Sequence, residues 1–112
     1  LNYMHNDIKL ENILIGNKDN SRIYLIDFGL CKHFRTETGE HTKKISLGHF
    51  SGNYMFASLN SCRGNTKSRR DDMEALFYLI IYLINGNSLP WKDFRGKFAH
   101  IVQMRLEVSV TR

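Results

Sequence analysis

Asp7, Lys9, Asn12 and Asp27 are the residues of this chain whose types and spacing could do chemistry together. Moving a phosphoryl group from a nucleotide to a hydroxyl needs little covalent help. It needs a carboxylate to orient the hydroxyl and receive its proton, and positive charge, including metal ions, to neutralise the phosphate. Asp7 offers that carboxylate, and Lys9, two residues on, a cation able to reach a transferring phosphate. Asn12 offers a neutral amide oxygen and Asp27 a full carboxylate to magnesium, a hard ion that prefers oxygen ligands. Singly, each has a plainer reading: a loop Asp or Asn is usually a cap, and Asp-Phe-Gly an ordinary strand-ending turn. The eight-residue run His5-Asn6-Asp7-Ile8-Lys9-Leu10-Glu11-Asn12, followed by a hairpin and then Asp27-Phe28-Gly29, is far more specific, because types, order and separation must coincide.

Something must bring Asp27 back beside Asn12, and the intervening residues are suited to it. Ile13-Leu14-Ile15 and Ile23-Tyr24-Leu25-Ile26 are β-branched runs flanking the turn-forming Gly16-Asn17-Lys18-Asp19-Asn20, which predicts a small β-hairpin. Gly29 would give the turn after Asp27 its backbone freedom, and Phe28 could pack on His5. Residues 29–65 show no sustained period and are rich in Ser, Thr, Gly and His, which predicts a long loop of functional character. Asp71 and Asp72 then stand where carboxylates can accept the free N–H groups of a starting helix. That helix is expected to run to about Asn85, stopped by Gly86, and to sit in the middle of a packed domain because it is apolar nearly all round. A second helix is expected where Phe94, Phe98, Ile101 and Val102 recur at helical spacing.

Composition bounds the class. With 112 residues, 42% of them apolar and 24% charged, the chain suits a globular domain. Its longest apolar run, residues 75–84, is ten residues against the about 20 a membrane helix needs, so a soluble chain is expected. Residues 1–10 have no apolar stretch of the signal-peptide kind, the two cysteines match no metal spacing, and no Asn-x-Ser/Thr acceptor occurs. The expected compartment is intracellular and reducing, cytoplasmic or nuclear. The net charge of +5 is concentrated: residues 30–70 hold eight Lys/Arg against two Glu. Such a segment attracts acidic or phosphorylated partners, or serves as a solvated face. Nucleic acid is disfavoured, since the aromatics fall in apolar runs rather than among the basic residues.

The two motifs resemble the catalytic loop and metal-binding turn of protein kinases, and the likeness extends further. Ile26-Asp27-Phe28-Gly29-Leu30-Cys31-Lys32, Thr38-Gly39-Glu40-His41, Phe56-Ala57-Ser58-Leu59-Asn60, Ser68-Arg69-Arg70-Asp71-Asp72-Met73-Glu74 and Ser88-Leu89-Pro90-Trp91 resemble the casein kinase 1 family, in which a Ser-Ile-Asn type segment replaces the usual Ala-Pro-Glu. The likeness covers residues 3–94. It implies an α+β, protein-kinase-like fold: a mainly α-helical C-terminal lobe with a small β-hairpin carrying the catalytic and metal-binding loops. It also implies ATP and Mg2+ as cofactors, protein Ser/Thr hydroxyls as acceptors, Asp7 and Lys9 as catalytic residues, and Lys9, Asn12 and Asp27 as nucleotide and metal contacts. His5, Phe28, Gly29 and Asp72 would be the supports, with Asp72 accepting hydrogen bonds from the catalytic-loop backbone.

Departures carry expectations of their own. Asn6 stands where kinases generally have Arg, so control by a phosphorylated activation loop is not expected. In the stretch the family writes Gly-Thr-Ala-Arg-Tyr-Ala-Ser, Asn53 replaces the threonine that would link the substrate loop to the catalytic aspartate, and Met55 replaces an arginine that recognises pre-phosphorylated substrate. Both contacts are expected to be lost. Lys43, Lys44, Asn53, Arg69 and Arg70 are the substrate-binding candidates, the four basic ones able to favour acidic substrates, with structural ion pairing an equal possibility for the two arginines. Phe77 replaces a helix glycine typical of the family, which implies local repacking. No Gly-rich loop and no strand lysine precede the catalytic loop, so residues 1–112 are expected to form part of a kinase domain, from the catalytic loop to the helix after Trp91, inactive by themselves. The rival class is a non-catalytic binding protein whose basic segment holds acidic partners; an intact base, phosphate lysine and metal pair argue for the enzyme.

Overall fold

The computed structural model describes residues 2–91, so the helix expected around Phe94 to Val102 lies outside the described residues. In chain order the elements are β1 (Tyr3–Met4), a 3-10 turn (Leu10–Asn12), β2 (Ile13–Ile15), β3 (Ile23–Leu25), β4 (Lys32–His33), α1 (Leu59–Cys62) and α2 (Arg69–Ile84).

The hairpin forms as expected. β2 and β3 run antiparallel with Ile13 opposite Leu25, Leu14 opposite Tyr24 and Ile15 opposite Ile23. Its turn closes through Gly16 N–H to Arg22 O (2.8 Å) and Arg22 N–H to Asp19 O (3.1 Å). At the open end Ile26 N–H donates to Asn12 O (2.9 Å), which fixes the chain one residue before Asp27 beside Asn12.

The stretch expected to be a loop holds more structure than its sequence suggests. β4 pairs with β1, placing His33 opposite Tyr3 and Lys32 opposite Met4, and α1 lies inside it. Strands of two residues are too short to show a period, which is why they are silent in the sequence. Phe34, just after β4, is buried beneath the guanidinium of Arg69 at 4.3 Å and that of Arg35 at 5.4 Å.

α2 begins earlier than expected. Its cap is Ser68, whose backbone N–H is accepted by Asp71 Oδ2 at 2.7 Å, so Asp71 serves as the third helical residue of a capping box rather than standing ahead of the helix. At the other end Asn85 N–H donates to Ile81 O (2.9 Å) and Gly86 takes φ 65°, the left-handed geometry that ends a helix.

Only one face of α2 is covered among the described residues, a correction to the expectation of a helix enclosed on all sides. Asp71, Ala75, Tyr78 and Leu79 point inward, whereas Met73, Ile80, Leu83 and Ile84 are exposed. Phe77 lies on the outer side of the helix, 38% exposed, with its ring centroid 6.4 Å from that of Tyr78. The core joins Ile8, in the loop that follows β1, to Phe56, Ala75, Tyr78, Leu79, Leu89 and Trp91, with Tyr78 edge-on to Trp91 (5.1 Å) and Phe56 edge-on to Tyr82 (5.4 Å). Burying each large apolar side chain contributes about 1.5–3 kcal/mol. The loop of residues 5–12 is therefore anchored through Ile8 on the long helix. None of the helices in the described residues is long and apolar enough to cross a membrane.

Candidate active site

His5, Asp7 and Asn12 are buried polar residues, and each is held by specific hydrogen bonds. Asp72 on the first turn of α2 accepts His5 N–H at Oδ2 (2.7 Å) and Asn6 N–H at Oδ1 (2.9 Å). Both of its oxygens are thus committed to the loop, and the capping of α2 is left to Asp71. Asn6 has φ 70°, a left-handed conformation uncommon for a non-glycine residue, and these paired hydrogen bonds are what hold it there.

His5 links the two motifs. Its Nδ1 accepts Asp7 N–H (3.1 Å), so Nε2 carries the ring proton and donates it to Ile26 O (2.9 Å). Phe28 stands edge-on to the same ring, with centroids 5.4 Å apart. One imidazole therefore fixes the backbone both of Asp7 and of the residue before Asp27.

Asp7 is the centre of the site. Asn12 Nδ2 donates to its carbonyl oxygen (2.9 Å) and to Oδ2 (3.3 Å), and Lys9 Nζ lies 3.7 Å from Oδ2. From the far side Asn53 Nδ2 donates to Asp7 Oδ1 (3.2 Å) and to Ile8 O (3.2 Å), while Asn53 Oδ1 accepts Phe56 N–H (2.8 Å). The link expected to be lost with the threonine is therefore present: an amide reaches the carboxylate as a hydroxyl would, and its oxygen braces the next turn of the chain. Gly52 makes the approach possible. It has φ 117°, and a Cβ there would stand 3.3 Å from Asn6 O.

The oxygens available to a metal ion have the right chemistry. Because Asn12 spends its NH2 group on Asp7, its Oδ1 is the end left to face a cation. Asp27 is solvent-exposed and uses Oδ1 to accept Gly29 N–H (3.1 Å), leaving Oδ2. A neutral amide oxygen and an anionic carboxylate oxygen are ligand types that fit Mg2+. The role expected of Gly29 is different in detail. The left-handed residue of the turn is Asp27 (φ 60°), and Gly29 instead supplies space, since a Cβ there would lie 3.1 Å from Asp27 Oδ1.

Of the basic candidates, Lys44 and Arg70 line one cleft together with His41 and Lys67. Lys43 is exposed outside it, and Arg69 is stacked on Phe34 and forms no ion pair among the described residues. Lys67 is a residue that sequence reasoning missed. Its Nζ donates to Ser51 O (2.8 Å), and burial first, then the neighbouring Lys32, lowers its pKa, with Asp72, Asp71 and Asp7 opposing.

Three further supports also escaped notice. Ser58 Oγ donates to Asp71 Oδ1 (2.7 Å) and accepts Ser61 N–H (3.0 Å), capping α1 while tying it to α2. Glu74 Oε2 accepts Leu59 N–H (2.7 Å) and the Tyr78 hydroxyl (3.2 Å). Trp91 Nε1 donates to Met55 O (2.6 Å), so the Ser-Leu-Pro-Trp block braces the segment that carries Asn53.

The protein kinase domain family matches residues 1–111 of the chain. A protein named "Probable casein kinase I homolog" from Encephalitozoon cuniculi (strain GB-M1) is 42% identical over 90 residues, which are 80% of this chain and 27% of that relative. The chain thus spans about a quarter of the length of the curated relative it matches.

Proposed function

This chain belongs to the protein kinase domain family, on its casein kinase 1-like side, and on that premise we infer that it carries the catalytic centre of a serine/threonine kinase. In this reading residues 2–91 are the part of the C-terminal lobe that runs from the catalytic loop through the long helix, and the whole protein transfers the γ-phosphoryl group of ATP to a protein hydroxyl. The observation that carries it is the convergence on Asp7: Lys9, Asn12 and Asn53 all reach its carboxylate, and Asp72 and His5 fix the backbone on which it stands.

Asp7 is the group that orients the acceptor hydroxyl and takes its proton. Its two oxygens are already located by donors, so a substrate hydroxyl meets a carboxylate of fixed direction, which favours an attacking geometry before reaction. Lys9 places positive charge next to that carboxylate, where charge on the transferring group accumulates. Asn12 and Asp27 would hold magnesium through the oxygens described above; when bound, Mg2+ neutralises phosphate charge. Acidic or phosphorylated protein substrates are the partners that the basic segment supports.

The test uses the full-length protein, with Asp7→Asn and Asp27→Ala variants. Phosphate transfer from ATP to seryl and threonyl peptides is expected to need added magnesium and to fall by at least a hundredfold in each variant. Full activity of Asp7→Asn would defeat this assignment.

A further inference from the structure

Gly52 is the weak point of the segment that brings Asn53 to Asp7. It takes φ 117°, a conformation open to glycine and rare for other residues, and it stands immediately before the side chain that donates to the Asp7 carboxylate. The close approach to Asn6 O needs a glycine here, yet glycine has the most backbone freedom to lose on folding. The direction of the Asn53 amide therefore depends on what holds the chain ahead of it.

Lys67 holds it. Its Nζ donates to Ser51 O (2.8 Å) and lies 3.4 Å from Ser51 Oγ, and the same ammonium stands 3.8 Å from the place a Cβ on Gly52 would take. Among the described residues Lys67 has no ion pair, and both of its hydrogen bonds there go to Ser51. The lysine reaches out from a fixed base. Thr66 O accepts Asn60 Nδ2 (3.0 Å) on one side, and on the other Ser68 N–H is bound by Asp71 in the capping box of α2 (2.7 Å). Lys67 also lines a small cavity of about 20 Å³ together with Asn6, Asn53 and Asp72. Asp72, Asp71 and Asp7 attract its ammonium toward the site, and Lys32 repels it. Gly52 is thus pinned at both ends, by Lys67 on Ser51 and by Asn53 on Asp7 and Ile8. Because the acceptor on Ser51 is a backbone carbonyl, the chain makes this tie by itself.

We propose that Lys67 is a positioning residue for Asp7 that acts through Asn53: by fastening Ser51 to the start of α2 it fixes Gly52 and so aims the Asn53 amide at the catalytic carboxylate. The role deepens the kinase reading and rests on it for the reaction that is served, whereas the clamp itself is a property of the fold.

Two readouts on the full-length protein test it, one of them independent of phosphate transfer. In amide hydrogen exchange, Lys67→Met is expected to speed exchange about tenfold in residues 51–57, where Asn53 accepts Phe56 N–H at its side chain and Ala57 N–H at its backbone, and to leave the hairpin of residues 13–26 unchanged. In steady-state kinetics with a seryl peptide, Lys67→Met is expected to lower kcat about tenfold, the scale of one charge-assisted hydrogen bond, with a smaller change in KM. Lys67→Arg, which keeps the cation and its donors, should restore both. In an Asn53→Ala background Lys67→Met should lower kcat no further, because its effect passes through that amide. Lys18→Met, which removes the same charge from the hairpin turn, should alter neither readout. Faster exchange in residues 51–57 in a protein whose wild type transfers no phosphate would leave the clamp standing and count against the kinase reading alone. Should Lys67→Met fail to fold, Lys67→Gln is read in its place. Exchange that stays unchanged in residues 51–57 or rises equally in 13–26, or a kcat loss of the same size in the Asn53→Ala background, overturns the proposal.

Discussion

Asn53 reaches across from the segment before α1 to donate its amide to the Asp7 carboxylate at 3.2 Å, joining residues 46 positions apart in the sequence. The same side chain accepts Phe56 N–H and donates to Ile8 O, so a single amide closes the site on one side. Replacing it by alanine leaves a partly buried N–H and a carboxylate oxygen short of partners. Asn53→Ala is expected to cost about 1–3 kcal/mol in unfolding free energy. It should also lower kcat more than it raises KM, because Asp7 loses a locating donor. Asn53→Thr, which retains a donor, should recover most of the rate. Steady-state kinetics of the pair decide the matter, and a threonine variant as slow as the alanine would show that the amide serves only the fold.

Asp72 makes a second, separable prediction. One carboxylate accepts two adjacent backbone N–H groups, and an asparagine can accept at only one of its two positions while presenting an N–H to the other. Asp72→Asn is expected to destabilise by about 1.5–3 kcal/mol, the usual worth of a hydrogen bond to a charged group. Slowed phosphate transfer should accompany it, since Asn6 is no longer kept in its left-handed conformation. Denaturant unfolding reads the first effect; an unchanged midpoint would mean the loop holds itself.

How much of this was legible in advance follows from the range of the interactions. The hairpin and the order of the motifs are local, with each signal written within about ten residues, and they form as the sequence implies. α2 was misplaced at its start because the cap depends on Ser68 and Asp71 acting together, and the neighbouring Asp72 has the same side chain with a different task. The link from Asn53 depends on the reach of its amide rather than on residue type, and reach is not written in the sequence. Ser58, Glu74 and Trp91 stand in blocks that resemble the family, but their contacts, like that of Lys67, have no local signature because each acts on chain that is distant in sequence.

Lys67 supplies a dependence on pH. Burial, and next the charge of Lys32, hold its folded pKa below the ordinary 10.5, against the attraction of Asp72, Asp71 and Asp7. Between the lowered folded value and 10.5 the unfolded chain holds a proton that the folded chain has released, so stability rises with pH across that window. Below the folded value the full penalty of the buried charge is present. Lys67→Met lacks this group, and the difference in urea midpoint between wild type and variant should move in favour of the wild type as pH rises toward the alkaline end of the window. A difference that stays constant with pH would remove Lys67 from the account.

The exposed face of α2 leads to the last prediction. Met73, Ile80, Leu83 and Ile84 stand out from the helix, and Ile15 and Ile23 of the hairpin are 72% and 69% exposed. Large apolar side chains left exposed in this way favour association in water unless another surface covers them. Residues 1–112 expressed by themselves are therefore expected to self-associate. Ile80→Lys with Ile84→Lys should reduce that association while sparing the core, since neither side chain belongs to the buried cluster around Tyr78. Light scattering across a concentration series measures it. A monomeric wild-type chain with one sharp unfolding transition would show that this face needs no cover, and the helix would then have to be read as a surface element.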